Sequence, residues 1–187
     1  MTSVLFCSLR KDIMIEISKT KLDGVLMIKM DKLFNDHRGV YGELYSLRDY
    51  RECGIYINFV SHTYSRSPKG VLRGLHGDNR TWKLISCPLG SFYLVVLNFD
   101  RSSKQFGKWE SFIISEENRM QILVPPNFCN GHYIMSETAI FHYLQSEYYR
   151  GPENQFTVRW NDPKFNIEWP AKRNLILSNR DQKAPNV

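Results

Sequence analysis

Apolar positions along the chain fall into short runs, many of them alternating with polar ones. They predict strands at 25–28, 39–44, 57–63, 71–76, 83–87, 91–99, 109–114, 121–124, 132–135 and 140–144. The spacers carry tight-turn chemistry: Asp36-His37-Arg38-Gly39, Pro88-Leu89-Gly90, Glu116-Glu117-Asn118 and Asn130-Gly131. The best helical segment is short, 47–52, ahead of Gly54. Many short strands rich in Val, Ile, Tyr and Phe predict an all-β fold, a jelly-roll sandwich or barrel with a few short helices. A doubly wound α/β fold is excluded because crossover helices are missing. No repeat or low-complexity tract divides the chain, so residues 14–187 are expected to form a single domain. Residues 1–13 are expected to be a disordered N-terminal extension, with Met14 offering a second start beside Met1.

Composition narrows the class. The 187 residues are 42% hydrophobic and 24% charged, a globular composition. The longest apolar run, 92–97, is too short to span a bilayer, and Val4 to Phe6 is too short for a signal peptide core. A cytoplasmic protein without a membrane partner is expected. The four cysteines form no CxxC pair, which suggests reduced thiols rather than a zinc site or disulfide framework. A net charge of +6 favours an anionic ligand. The basic residues are dispersed and no zinc-finger or RNP motif occurs, which argues against nucleic acid.

Candidate chemistry concentrates at 65–76, where a strand carries Arg73 and His76 around Gly74. Strict alternation would put Leu72, Gly74 and His76 on one face and Arg73 and Leu75 on the other. A bulge at Gly74 would bring Arg73 and His76 to one cavity. Without it, the plain reading is a surface arginine and a core histidine. Along 140–145, alternation sets Phe141, Tyr143 and Gln145 against Ile140, His142 and Leu144, so only one of Tyr143 and His142 can face a cavity.

The run KGVLRGLH at 69–76 resembles the signature of the dTDP-4-dehydrorhamnose 3,5-epimerase family, sugar-nucleotide epimerases of the cupin superfamily. The resemblance extends in register from Phe34-Asn35-Asp36-His37-Arg38-Gly39 through Lys83-Leu84, Val124-Pro125-Pro126 and Trp160-Asn161-Asp162-Pro163 to Leu177-Ser178 ahead of Asp181. It implies a cupin-type jelly-roll barrel, a homodimer, and catalysis with neither metal nor organic cofactor. It further implies that His76 is the base beside the C4 carbonyl, that Asp181 orients it, and that Tyr143 delivers a proton from the opposite face. Lys83 is the implied donor to the enolate oxygen. Diphosphate binding is assigned to Arg38, Arg66, Arg73 and Lys69, with Arg38 reaching the partner subunit's site and Glu43 holding one of the arginines. His132 and Tyr149 join them as substrate-binding residues. The chemistry is coherent: a carbon acid beside a ketone needs a base of near-neutral pKa, and inversion needs an acid across the enolate.

The chain also departs from the family pattern. Asn130 stands where the family has a second active-site histidine, and an amide can hydrogen-bond an enolate but cannot take its proton. Gly77-Asp78 replace an aromatic and a glutamine, and Ser61 and Thr63 replace a glutamine and an asparagine. The run RGLHGD at 73–78 with Pro125-Pro126-Asn127, then Asn130 and His132-Tyr133, resembles a branch acting on GDP-linked 4-keto-6-deoxy-heptoses in capsule heptose synthesis. The expectation is therefore epimerisation at C3, with C5 as a second centre, of a GDP-linked heptose. The alternatives are a dTDP-4-keto-6-deoxy-hexose 3,5-epimerase and a non-catalytic nucleotide-sugar-binding cupin. A metal-dependent cupin oxygenase is disfavoured because no HxH pair occurs.

Overall fold

The computed structural model describes residues 4–10, 13–30 and 33–187, and Met1 lies outside them. The strands are β1 Val4–Arg10, β2 Ile13–Lys19, β3 Leu26–Met30, β4 Leu33–Asp36, β5 Gly39–Gly42, β6 Ser61–Pro68, β7 Leu72–Gly77, β8 Lys83–Leu89, β9 Ser91–Asn98, β10 Trp109–Ser115, β11 Met120–Val124, β12 Phe128–Ile134, β13 Thr138–Gln145 and β14 Phe156–Thr157. Two short helices, α1 Leu47–Glu52 and α2 Asn179–Gln182, complete the regular structure apart from a single 3₁₀ turn. Val4–Arg10, expected to belong to a disordered extension, pairs antiparallel with β2. Ile13, Ile15 and Ile17 recur at period two along β2, a strand pattern that gives this segment a ladder to join.

Seven strands form one sheet, in the order β1-β2-β3-β11-β8-β13-β6, and five form another, β10-β9-β12-β7-β14. The ladders of the two sheets remain separate among the described residues, so the jelly roll is a pair of facing sheets and not a closed barrel. The β4–β5 hairpin stands apart as its own two-stranded sheet.

Both sheets are covered on both faces, which explains why strands such as β8 and β9 read as nearly continuous apolar runs. Between the sheets, Ile85, Ile122 and Phe141 meet Phe92, Leu94, Val96 and Ile114. The outer face of the large sheet packs Ile28, Leu84, Leu123 and Leu144 under Tyr50 and Ile55. That cover is built by α1, whose N-cap Ser46 accepts from the Asp49 amide and whose C-terminal exit turns at Gly54 with φ +84°. Tyr50 adds a hydroxyl bond to the Gln121 side chain. The outer face of the small sheet packs Leu72, Leu75, Val95 and Leu97 under Val158, Phe165, Ile167 and Trp169 from the irregular C-terminal segment. Apolar groups thus fill three layers, and one end of the central layer is left open.

Candidate active site

The open end exists because β7 is bulged. Its pairing with β12 sets His76 opposite Asn130 and Arg73 opposite His132, so Gly74 and Leu75 together oppose Gly131. Leu72 and Leu75 therefore both face the outer core, while Arg73 and His76 both face the space between the sheets. Only glycine fits the crest of this bulge. Gly74 has φ +114°, and a Cβ there would lie 2.6 Å from the Gly131 Cα.

A cavity of about 480 Å³ results. The small sheet contributes Arg73, His76, Asn130 and His132, and the large sheet faces them with Thr63, Lys83, Phe141, Tyr143 and Gln145. Alternation along β13 thus sends Tyr143 inward, and His142 on the outer side bonds Ser86 through Nδ1 at 2.9 Å.

His76 Nε2 lies 2.7 Å from Asp181 Oδ1. The two residues are 105 positions apart, and α2 brings them together. Ser178 caps that helix, its Oγ accepting from the Asp181 amide at 3.1 Å. Burial pushes the Asp181 carboxyl toward higher pKa, but bonds from His76, Ser178 and the Gly74 backbone outweigh it and hold the group below the ordinary carboxylate range. A buried, ionised acceptor on one side of the imidazole fixes its orientation and its tautomer.

Across the cavity, burial raises the Tyr143 phenol pKa, and a hydrogen bond with Thr63 only partly offsets this. The hydroxyl therefore keeps its proton through the neutral range. Lys83 is 7% exposed and donates from Nζ to Asn130 Oδ1 at 3.0 Å. Burial lowers the pKa of this ammonium, against the pull of Asp78. His132 stacks flat on Phe141, ring centroids 3.9 Å apart and planes 4° from parallel. Burial first, then repulsion from Arg73 and His76, takes its pKa down to about 3. At neutral pH this imidazole carries no charge.

The remaining expected binding residues divide. Arg73 lines the cavity and donates to Ser67 Oγ at 3.1 Å, and the exposed Tyr149 stands at the mouth. Arg38, Arg66, Lys69 and Glu43 do not line it. Arg38 projects from the β4–β5 hairpin, 2.6 Å from Asp36. Arg66 is exposed because Ser65 and Ser67 take the inward positions of β6. Lys69 sits in the turn after β6 and pairs with Glu137 at 3.7 Å. Glu43 lines a separate cavity with Leu33, Leu44 and Met120, and none of the described ion pairs joins it to Arg38, Arg66 or Arg73.

Arg180 and Gln155 also line the cavity and were not anticipated. The Arg180 guanidinium bonds Gln155 Oε1 and Thr157 Oγ1, each at 3.1 Å. Gln155 lies in an irregular stretch with no period to betray it. Arg180 had one available signal, its position beside Asp181 in a polar C-terminal turn. Among the described residues, no group of three or more His, Cys, Asp or Glu side chains could hold a metal ion. None of the described helices is long and apolar enough to cross a membrane.

The arrangement can remove a proton from one side of a bound carbon acid and return one from the other. The family model for dTDP-4-dehydrorhamnose 3,5-epimerase matches residues 19–187. The protein of that name from Salmonella typhimurium is 36% identical over 176 residues, covering 92% of this chain and 95% of its own. The Pseudomonas aeruginosa counterpart is 37% identical over 155 residues, 81% of this chain and 85% of its own. A crystal structure of dTDP-6-deoxy-D-glucose-3,5-epimerase from Legionella pneumophila Philadelphia 1, in complex with dTDP-4-keto-L-rhamnose, superposes with a TM-score of 0.85 at 36% identity, covering 91% of both chains.

Proposed function

Because the chain belongs to the dTDP-4-dehydrorhamnose 3,5-epimerase family, we propose that it inverts the centres flanking the C4 keto group, C3 and C5, of a dTDP-linked 4-keto-6-deoxy-hexose. The observation that carries this reading is the placing of the His76–Asp181 pair and Tyr143 on facing sheets across one cavity. With Nε2–H donated to Asp181, the His76 lone pair resides on Nδ1, which takes the proton from the carbon beside the carbonyl. The electron pair moves onto the carbonyl oxygen, where the Lys83 ammonium, steadied by Asn130, donates to the developing charge. Tyr143 then gives its hydroxyl proton to the opposite face of the same carbon, and solvent restores both groups. A positioned acid or base of this kind contributes roughly 10²–10⁴-fold. Since Asn130 cannot accept a proton, one base and one acid serve both centres in turn.

The proposed substrate differs from the expectation of a GDP-linked heptose. The relatives are named for dTDP-sugars, and the Legionella structure holds a dTDP-hexose, which supports the alternative reading over the first. Gly77, Asp78 and Asn130 remain the residues that favour the heptose. Arg73 serves as the diphosphate ligand within the chain. A homodimer accounts for the β4–β5 hairpin, which exposes Phe34, Val40 and Tyr41 and holds Arg38 away from its own cavity. Against a second copy, that surface would be covered and Arg38 would reach a phosphate.

Incubation of dTDP-4-keto-6-deoxy-glucose with the protein in D₂O, followed by NMR, tests the reaction. Deuterium is expected at C3 and C5, and its absence from both ends the epimerase reading. Competition between dTDP and GDP for the free protein tests the nucleotide, with dTDP expected to bind tighter.

A further inference from the structure

His132 is an unusual group for the place it occupies. It is 3% exposed, it lines the cavity, and its Nε2 is buried without a hydrogen-bond partner. Its described contacts are aromatic: Phe141 stacked against one face and Phe92 tilted at 5.5 Å. As a filler between two phenylalanines, a phenylalanine would serve better, because an imidazole left unpaired in a dry site loses hydration and gains nothing. The missing partner is therefore sought in what the cavity binds. We infer that the imidazole of His132 hydrogen-bonds a hydroxyl group of the bound sugar, which makes it a specificity-determining residue of this site.

The strand register places it suitably. His132 and Asn130 point inward from alternate positions of β12, opposite Arg73 and His76 of β7. The imidazole thus lies beside the arginine assigned to the diphosphate, one inward position along β12 from Asn130, which faces the base assigned to the sugar ring. Arg73 is a better phosphate ligand, since a phosphate accepts and a guanidinium only donates. An uncharged imidazole offers one donor and one acceptor, the complement of a hydroxyl. Burial above all, with the charges of Arg73 and His76 outweighing that of Asp181, leaves it uncharged at neutral pH. Sites built to bind a hydroxyl reject analogues that lack it strongly, because their own polar group is then stranded.

The inference rests on the epimerase reading, and its test separates the two. Dissociation constants of dTDP-glucose and dTDP are measured by calorimetry for the wild type, His132→Phe and His132→Gln, with thermal melting to verify folding. His132→Phe, which keeps the stack and removes the nitrogens, is expected to weaken dTDP-glucose roughly ten- to a hundredfold while leaving dTDP within about twofold. His132→Gln, which keeps a donor and an acceptor, is expected to recover much of that loss. Equal weakening of both ligands would assign His132 to the diphosphate, and no weakening of either would make it an aromatic filler. Each of those results overturns the inference. Deuterium exchange on the same samples reads the epimerase chemistry independently. If the acid limb of the kcat/KM profile moves in His132→Phe, His132 is titrating as a base and the inference also falls.

Discussion

The layer between the two sheets has two ends, built from different strands of the same two sheets. At one end Phe92, Leu94, Val96 and Ile114 close against Ile85 and Ile122 with almost no exposure. At the other end, β7, β12 and β13 present Arg73, His76, Asn130, His132 and Tyr143 to a cavity. The difference lies in side chains, since strand pairing runs through both. One end holds the sheets together, and the other spends that stability on holding a base, its carboxylate and a phenol in fixed positions. Substitutions should consequently separate activity from stability by end.

The largest effect is expected at the open end. His76→Ala should lower the rate of deuterium exchange by roughly 10²–10⁴-fold, with a thermal midpoint close to that of the wild type. At the filled end, Ile122→Ala should destabilise the fold by about 2–5 kcal/mol in a denaturant titration while the folded fraction keeps its exchange rate. If both variants lost activity and stability together, the two ends would not be separate.

A graded effect comes from pH. The unfolded chain protonates His132 near 6.5, whereas in the fold its pKa lies at about 3. Between those values the unfolded state binds a proton that the native state refuses, so stability is fullest above pH 6.5 and falls as the pH drops toward 3. His132→Phe should flatten that slope, read from denaturation midpoints at stepped pH. The smallest effect is expected outside both ends. Lys69→Ala removes a solvated pair with Glu137 and should change stability by no more than about 0.5 kcal/mol and leave dTDP affinity unaltered. A large loss of dTDP affinity would return Lys69 to the site.

Much of the fold is legible in the pattern, and the misses share a cause. The strands at 83–87, 91–99 and 109–114 and the helix at 47–52 coincide with β8, β9, β10 and α1 to within two residues. The segment 57–63 does not, because Ile57 and Phe59 alternate to pack on the outer face of the large sheet while β6 begins only at Ser61. One-sided burial produces the same alternation whether or not a ladder follows. Period two sets Tyr143 against His142 and only the family resemblance picks Tyr143 as the inward one, while the shared placement of Arg73 with His76 follows only from allowing a bulge. The meeting of His76 with Asp181 has no local signal at all, since the partner comes from a four-residue helix 105 positions later. Arg66 and Lys69 are drawn to the site by charge, and charge does not say which way a side chain points; Arg38 is expected at the partner subunit's site, through the family's early Arg-Gly motif.

Gly74 carries a consequence for how this site could change over time. The extra residue at the crest shifts the parity of β7, so that residues on its two sides obey opposite rules of facing. Any side chain at position 74 would collide with the Gly131 and Asn130 backbone, and losing one residue would swing the imidazole out of the cavity in a single step. Variation can therefore retune the walls around the base, but the strand cannot drift gradually to a different reading frame of in and out.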